Sequence, residues 1–348
     1  MIGLTGLALS AQMSASSPAL PAGQADSGTE PPDATVRAAR VHWRQLFDNG
    51  SWAELDAIAD QLRSQRLRFQ GGGWQLYSFY RAVGPAGPQT ATDAAWNAQF
   101  AKLQEWIAAE PASATPRIAL ADAYIEYAWK ARGSGWANTV TPEAVKQFLD
   151  RIGQARAILE AAEKIRNGDP EWYRAMQLVE LAQAWPRDQA DALVEAALSN
   201  EPGYYYSAQQ QAIYLLPKWD GKPGETEEFA EKVADRIGNA EGDAVYFQIA
   251  AGVNCCQRTE APAMVWERVR RGYFALERLY GTNLFERNAM AFLALKAGDT
   301  ETAQAQFAKI GDDWDATVWI GKPRFDASRL GHALGRALPV QPDAPADK

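Results

Sequence analysis

Apolar residues recur three and four positions apart almost everywhere between residues 34 and 310. This spacing limits the chain more than any other feature. It matches a helix, where residues i, i+3, i+4 and i+7 share a face, whereas a half-buried strand alternates every second residue. No convincing alternating run of β-branched residues is present. Trp52, Leu55, Ala59 and Leu62 form one stripe. Val145, Phe148, Ile152, Ala155, Leu159 and Ala162 form a longer one. That stripe opens on Thr141-Pro142-Glu143, an N-cap residue followed by proline at the first helical position. Phe229, Val233 and Ile237 stop at Gly238, and Trp266, Val269, Tyr273, Leu276 and Tyr280 stop at Gly281. Breaks of this kind fall about every 15 to 25 residues, the spacing of helix hairpins.

A repeat emerges from the same stripes. The second helix of a tetratricopeptide unit carries a small residue at its turn, then apolar or small residues five, nine and twelve positions on. Gly298, Ala303, Phe307 and Ile310 fit, as do Gly50, Leu55, Ala59 and Leu62. Ala190, Val194, Ala197 and Pro202 fit the later part. A small residue lets two helices approach, larger ones fill the groove, and each pair leaves an apolar face for the next. The first-helix signature is poor throughout and the linkers vary in length. The expectation is therefore an all-α chain: a right-handed α–α superhelix, or degenerate tetratricopeptide-like solenoid of antiparallel helix pairs, over residues 34–335. Gly71-Gly72-Gly73 reads as a loop from the first hairpin to the next helix, and residues 216–224 as a long polar connection around Trp219.

The ends differ from this pattern. Residues 2–11 are apolar and small, too short to span a bilayer, and finish on Ala8-Leu9-Ser10-Ala11 in the manner of a signal-peptidase site. No Lys or Arg precedes them, so a truncated export signal and an ordinary tail compete. The export reading implies a periplasmic or exported protein, and the other a cytoplasmic one. Residues 12–33 and 336–348 are rich in Ser, Pro and Gly or lack periodicity, and are expected to be disordered. No other apolar run has membrane length.

Composition excludes several functions. The net charge of −8, with Lys and Arg dispersed among acids, argues against a nucleic-acid partner, whose phosphates need clustered cations. The densest basic groups, Arg63/Arg66/Arg68 and Arg268/Arg270/Arg271, are expected on solvated helix faces. Two Cys, the adjacent Cys255 and Cys256, and two His, His42 and His332, give no metal-site spacing. Gly71-Gly72-Gly73 lacks the Lys-Ser/Thr of a phosphate loop, and Gly133-Ser134-Gly135 lacks the setting of a nucleophile elbow. No cofactor, metal or catalytic residue is therefore assigned. Paired carboxylates beside tryptophan platforms would suit a glycan-acting enzyme, and Asp220 and Asp243 lie on turns, where capping is their ordinary role.

The chain carries 13 Trp, 12 Tyr and 12 Phe. Such rings plug gaps between helix pairs, and they also line grooves. Tyr124, Tyr127 and Trp129 precede an Arg132-Gly133-Ser134-Gly135 turn, and Tyr204, Tyr205 and Tyr206 precede another helix. An Arg beside aromatics stacks on a ring or clamps a carboxylate. The expected binding groove comprises Trp129, Arg132, Tyr205, Trp219 and Tyr246.

Four blocks together resemble a bacterial family labelled domain of unknown function 4034. They are Trp129-Lys130-Ala131-Arg132-Gly133-Ser134-Gly135, Phe148-Leu149-Asp150-Arg151 running on to Ala155 and Leu159, Tyr214-Leu215-Leu216-Pro217-Lys218-Trp219-Asp220-Gly221, and Gly242-Asp243-Ala244-Val245-Tyr246. The resemblance covers residues 110–260, and its most specific part is the third block. It implies a helical, tetratricopeptide-like fold in bacterial proteins, many exported or membrane-associated, and implies no activity or catalytic residue. The functional expectation is a non-enzymatic scaffold of the bacterial envelope that offers a concave face to a protein or peptide. The alternatives are the glycan-acting enzyme and a purely structural member of a larger assembly.

Overall fold

The computed structural model describes residues 34–85, 87–133, 140–217, 219, 221–255 and 264–333. The export-like segment, the C-terminal tail, Ser134, Gly135, Asp220 and Cys256 lie outside the described residues. The described chain is all-helical, with sixteen α-helices. The first six are α1 (Ala34–Asn49), α2 (Trp52–Ser64), α3 (Gln75–Val83), α4 (Asp93–Ala109), α5 (Thr115–Arg132) and α6 (Pro142–Ala162). A 3-10 turn (Glu163–Ile165) leads to α7 (Pro170–Gln183), α8 (Arg187–Asn200), α9 (Tyr205–Tyr214) and α10 (Glu225–Ile237). The last are α11 (Asn239–Cys255), α12 (Trp266–Tyr280), α13 (Leu284–Ala297), α14 (Thr300–Ile310), α15 (Ala316–Trp319) and α16 (Lys322–Ala333).

The sequence signals set many of these boundaries. Thr141 accepts a hydrogen bond from the Ala144 amide and starts α6. Asn283 and Glu286 form a reciprocal capping box on α13. Gly298 ends α13 with φ +78°, a left-handed conformation that glycine adopts without a Cβ penalty. The stripes are buried as their spacing requires: Leu55, Ala59 and Leu62 on α2, Phe148, Ile152, Ala155 and Leu159 on α6, and Ala303, Phe307 and Ile310 on α14.

Most helices pack on their neighbours in sequence, and α5, α7, α9, α11, α13 and α15 also touch one another in succession. The odd-numbered helices thus form a row from α5 to α15, with even-numbered helices packed against it. The apolar core is in two parts. One gathers α1–α7, and the other runs from Val194 on α8 to Phe325 on α16. Polar side chains occupy the seam between them.

One segment departs from the expected order. Residues 67–75 are not a plain linker but a short hairpin, a finger, between α2 and α3. Arg68 and Trp74 pair as an antiparallel bridge, and Phe69 and Gln75 donate to the carbonyls of Gly73 and Leu67. Gly72 donates to the Phe69 carbonyl, closing a tight turn with Gly71 at φ +85°. The tip reaches α11–α13, more than 170 positions away in sequence: Gln248 donates to the Gly71 carbonyl and Gln70 to the Thr282 carbonyl.

Candidate functional site

The seam is built from α3, α5, α7, α9 and the finger. Glu171 and Arg174 stand one turn apart on α7, a helix buried on nearly every side. Arg174 donates through Nε to Glu171 at 2.7 Å and through Nη2 to Asp122 on α5 at 2.8 Å. Arg81 of α3 reaches Asp122 and Glu126 at 2.6 Å each and Glu171 at 3.5 Å. The Tyr204 hydroxyl donates to the other Glu171 oxygen. Two guanidiniums thus face three carboxylates. Burial pushes Glu171 up to about 8, against the pull of Arg174 and with Asp122 adding to the rise.

Beside this cluster Asp169 caps α7. Its carboxylate accepts from the Glu171 amide at 2.9 Å, the Tyr80 hydroxyl at 2.7 Å and Arg63 at 2.6 and 2.9 Å. One fully buried acid therefore ties α2, α3 and α7 together. Arg63 and Arg68 are thereby corrected from the solvated face expected of them. Both guanidinium side chains are mostly buried, and Arg68 lies 3.2 Å from the Trp74 ring.

Three tyrosines form a stack that opens from the seam. Tyr77 and Tyr206 are parallel with ring centres 3.9 Å apart, and Tyr205 follows 4.2 Å from Tyr206. Arg81 and Arg174 sit 5.4 and 5.6 Å from Tyr77. All three rings keep some accessible surface, yet burial raises all three hydroxyls. Glu286 on α13 faces Tyr205 and adds to the rise of its hydroxyl. Burial lifts Glu286 to about 8, while the backbone amides of its capping box pull it down. Around the stack lie guanidiniums, carboxyl groups and further aromatic rings. These carboxyl groups are already engaged by guanidiniums, a tyrosine or a helix cap. No group of three or more His, Cys, Asp or Glu fit to hold a metal occurs among the described residues.

Of the five residues singled out by sequence, the structure brings Trp129 and Arg132 together, with the guanidinium 5.6 Å from the indole and Trp129 edge-on to Phe148. They sit with the first core. Tyr205, Trp219 and Tyr246 pack with the second. Only Tyr205 joins the tyrosine stack. Tyr246 is fully buried, its hydroxyl accepting from the Val265 amide and its ring 5.0 Å from Arg268. Asp243, weighed as a carboxylate candidate, is held by Arg271 at 2.6 Å, which keeps it below the usual carboxylate range.

Sequence reasoning missed Tyr77, Arg81, Asp122, Glu171, Arg174 and Tyr206. A signal existed: Glu171, Arg174 and Gln177 recur every three residues within a helix otherwise apolar all round, so charged groups had to enter the interior together. No protein-family model, curated protein or solved structure matches this chain.

Proposed function

We propose that this chain is a non-enzymatic helical-repeat scaffold that binds a protein or peptide segment along its row of odd-numbered helices. In this reading the two layers curve as a degenerate tetratricopeptide-like superhelix, and the tyrosine stack lies on its concave side. The carrying observation is that the chain's own finger, a short hairpin, lies against that row. Its tip meets amide side chains from α11 and the start of α13, and its root is held by Tyr206 of α9. Succession of α5 through α15 in one row supports a repeat architecture. A bacterial envelope setting rests on residues 2–11 and on the resemblance to the family named above. Among the described residues no helix is long and apolar enough to cross a membrane.

The glycan-acting alternative would draw on Glu171 and Glu286, the two buried carboxyl groups pushed up to about 8 on either side of the stack. Glu171 has no exposed surface and is bound by Arg174 and Tyr204, and Glu286 is committed to the cap of α13. Neither is placed to give a proton to a polymer, so binding is the better-supported function. Site-specific photo-crosslinking in the native organism tests it. A crosslinker at Tyr77 or Tyr206 is expected to trap a discrete protein partner, while one at exposed Val41 or Leu330 traps none. The same yield at all four positions would refute the reading.

A further inference from the structure

We propose that the α9–α13 end of this row is a binding site for a glycine-glycine turn followed by an aromatic residue, and that the chain fills this site with its own finger. The inference rests on the row being a segment-binding face and names the chemistry of the segment.

The finger has the form of a ligand. It closes on itself through the Phe69, Gly72 and Gln75 amides, so its shape does not depend on the surface it meets. Its tip is held through two backbone carbonyls and the Gln70 side-chain amide. Gln248 donates to the Gly71 carbonyl and Asn283 to the Gln70 carbonyl, each at 3.4 Å, and Gln70 donates to the Thr282 carbonyl at 2.8 Å. Side-chain ends also close in on the two glycines. A Cβ on Gly71 would stand 2.6 Å from Asn283 Nδ2 and Glu286 Oε2, and one on Gly72 2.9 Å from Gln248 Nε2. Both glycines have left-handed φ, +85° and +76°, which other residues adopt only at a cost. Gly71 and Gly72 are buried although they form the tip of a loop.

The aromatic requirement comes from the root. The Trp74 indole donates to the Gly203 carbonyl at 2.8 Å, its amide donates to the Tyr206 hydroxyl at 3.2 Å, and Arg68 covers its ring. The indole bond of the root is short and buried, whereas two of the three tip bonds are long. The tip therefore leaves at lower cost than the root, and a partner segment of the same chemistry competes with it for Gln248, Asn283 and the edge of Tyr280.

The test uses the full chain and a labelled synthetic peptide spanning residues 66–77. In the Gly71→Ala/Gly72→Ala variant the left-handed φ at both positions disfavours the seated finger, so the peptide is expected to bind at least tenfold more tightly than to the wild type. In the wild type the tethered finger competes at an effective concentration on the order of millimolar. A peptide with alanine at both glycines should bind neither protein. Equal binding to both proteins, or none to a folded variant, overturns the proposal. Should the variant fail to fold, native hydrogen exchange of the wild type decides. The Gln70 and Gln248 side-chain amides, which bond across the site, should have protection factors at least tenfold below those of the backbone amides in the middle of α13, and opening only together with α13 makes the finger a fixed clasp and sinks the proposal. Peptide binding without any crosslinked partner at Tyr77 or Tyr206 would leave this site standing and remove the scaffold reading. The converse would do the opposite.

Discussion

Replacing Arg174 with methionine removes one of two cations from a cluster holding three carboxylates. Two opposite charges about 4 Å apart attract by about 4 kcal/mol at an effective dielectric of about 20. Arg174 has two such partners, Glu171 and Asp122. Repulsion from Arg81 and the cost of burying a guanidinium offset much of that sum, and breaking buried pairs typically costs about 3–5 kcal/mol. The expected loss is about 4 kcal/mol at pH 8, read from urea denaturation followed by circular dichroism. The loss also depends on pH in a fixed direction. Glu171 is already pushed up to about 8 from an ordinary 4.5, chiefly by burial. A carboxyl whose folded pKa is raised makes the native state hold a proton that the unfolded chain has released. Its stability is therefore full below about 4.5 and declines as pH rises toward 8. Without Arg174 the carboxyl rises further, so the variant's deficit should grow from pH 5 to pH 9. Adding Glu171→Gln restores the original charge balance and should recover at least about 1.5 kcal/mol at pH 8, a coupling typical of residues in one network. A loss below about 1 kcal/mol, or a deficit that is flat with pH, would refute the view that this cluster is held by charge balance.

Three other perturbations separate packing from propensity and charge. Gly272→Ala on α12 should destabilise by at least about 2 kcal/mol in the same assay although alanine is the better helix former by about 1 kcal/mol, because the new Cβ would lie 2.1 Å from the Asp243 carbonyl of α11. Trp74→Ala should cost about 3–5 kcal/mol as a buried aromatic truncation, and Trp74→Phe, which loses the bond to Gly203 and weakens the Arg68 stack, about 1–2 kcal/mol. Asp56, half-buried and lifted to about 6 mainly by desolvation, loses stability as pH rises from about 4 to 6. Asp56→Asn should therefore raise the unfolding free energy at pH 7 by about 1 kcal/mol after discounting for solvent access, and should give no gain at pH 3.5.

Helix type and many helix boundaries were legible in the chain because both follow from local physics. The stripe from Phe148 to Leu159 could bury itself only as a helix, and Thr141-Pro142 and Gly281 set ends whose hydrogen bonds close within a few residues. The tetratricopeptide spacing in α2 and α14 likewise marked the side chains that are buried. The seam was only half-legible. Glu171, Arg174 and Gln177 at three-residue spacing announced charge inside α7, but their partners Asp122 and Arg81 come from α5 and α3, which nothing in the sequence pairs with them. Trp129, Arg132 and Tyr205 were recognised as rings and a cation near turns. Which of them come together depends on how the helices stack, so Tyr205 joins Tyr206 and Tyr77 while Tyr246 turns into the core. The finger was the least legible. Three glycines specify a turn that avoids side chains, but the sequence cannot say what those side chains would meet. Only the packing of α11 to α13 brings Gln248, Tyr280, Asn283 and Glu286 to Gly71 and Gly72, because contacts spanning some two hundred residues are fixed by the arrangement of the helices and not by any local preference.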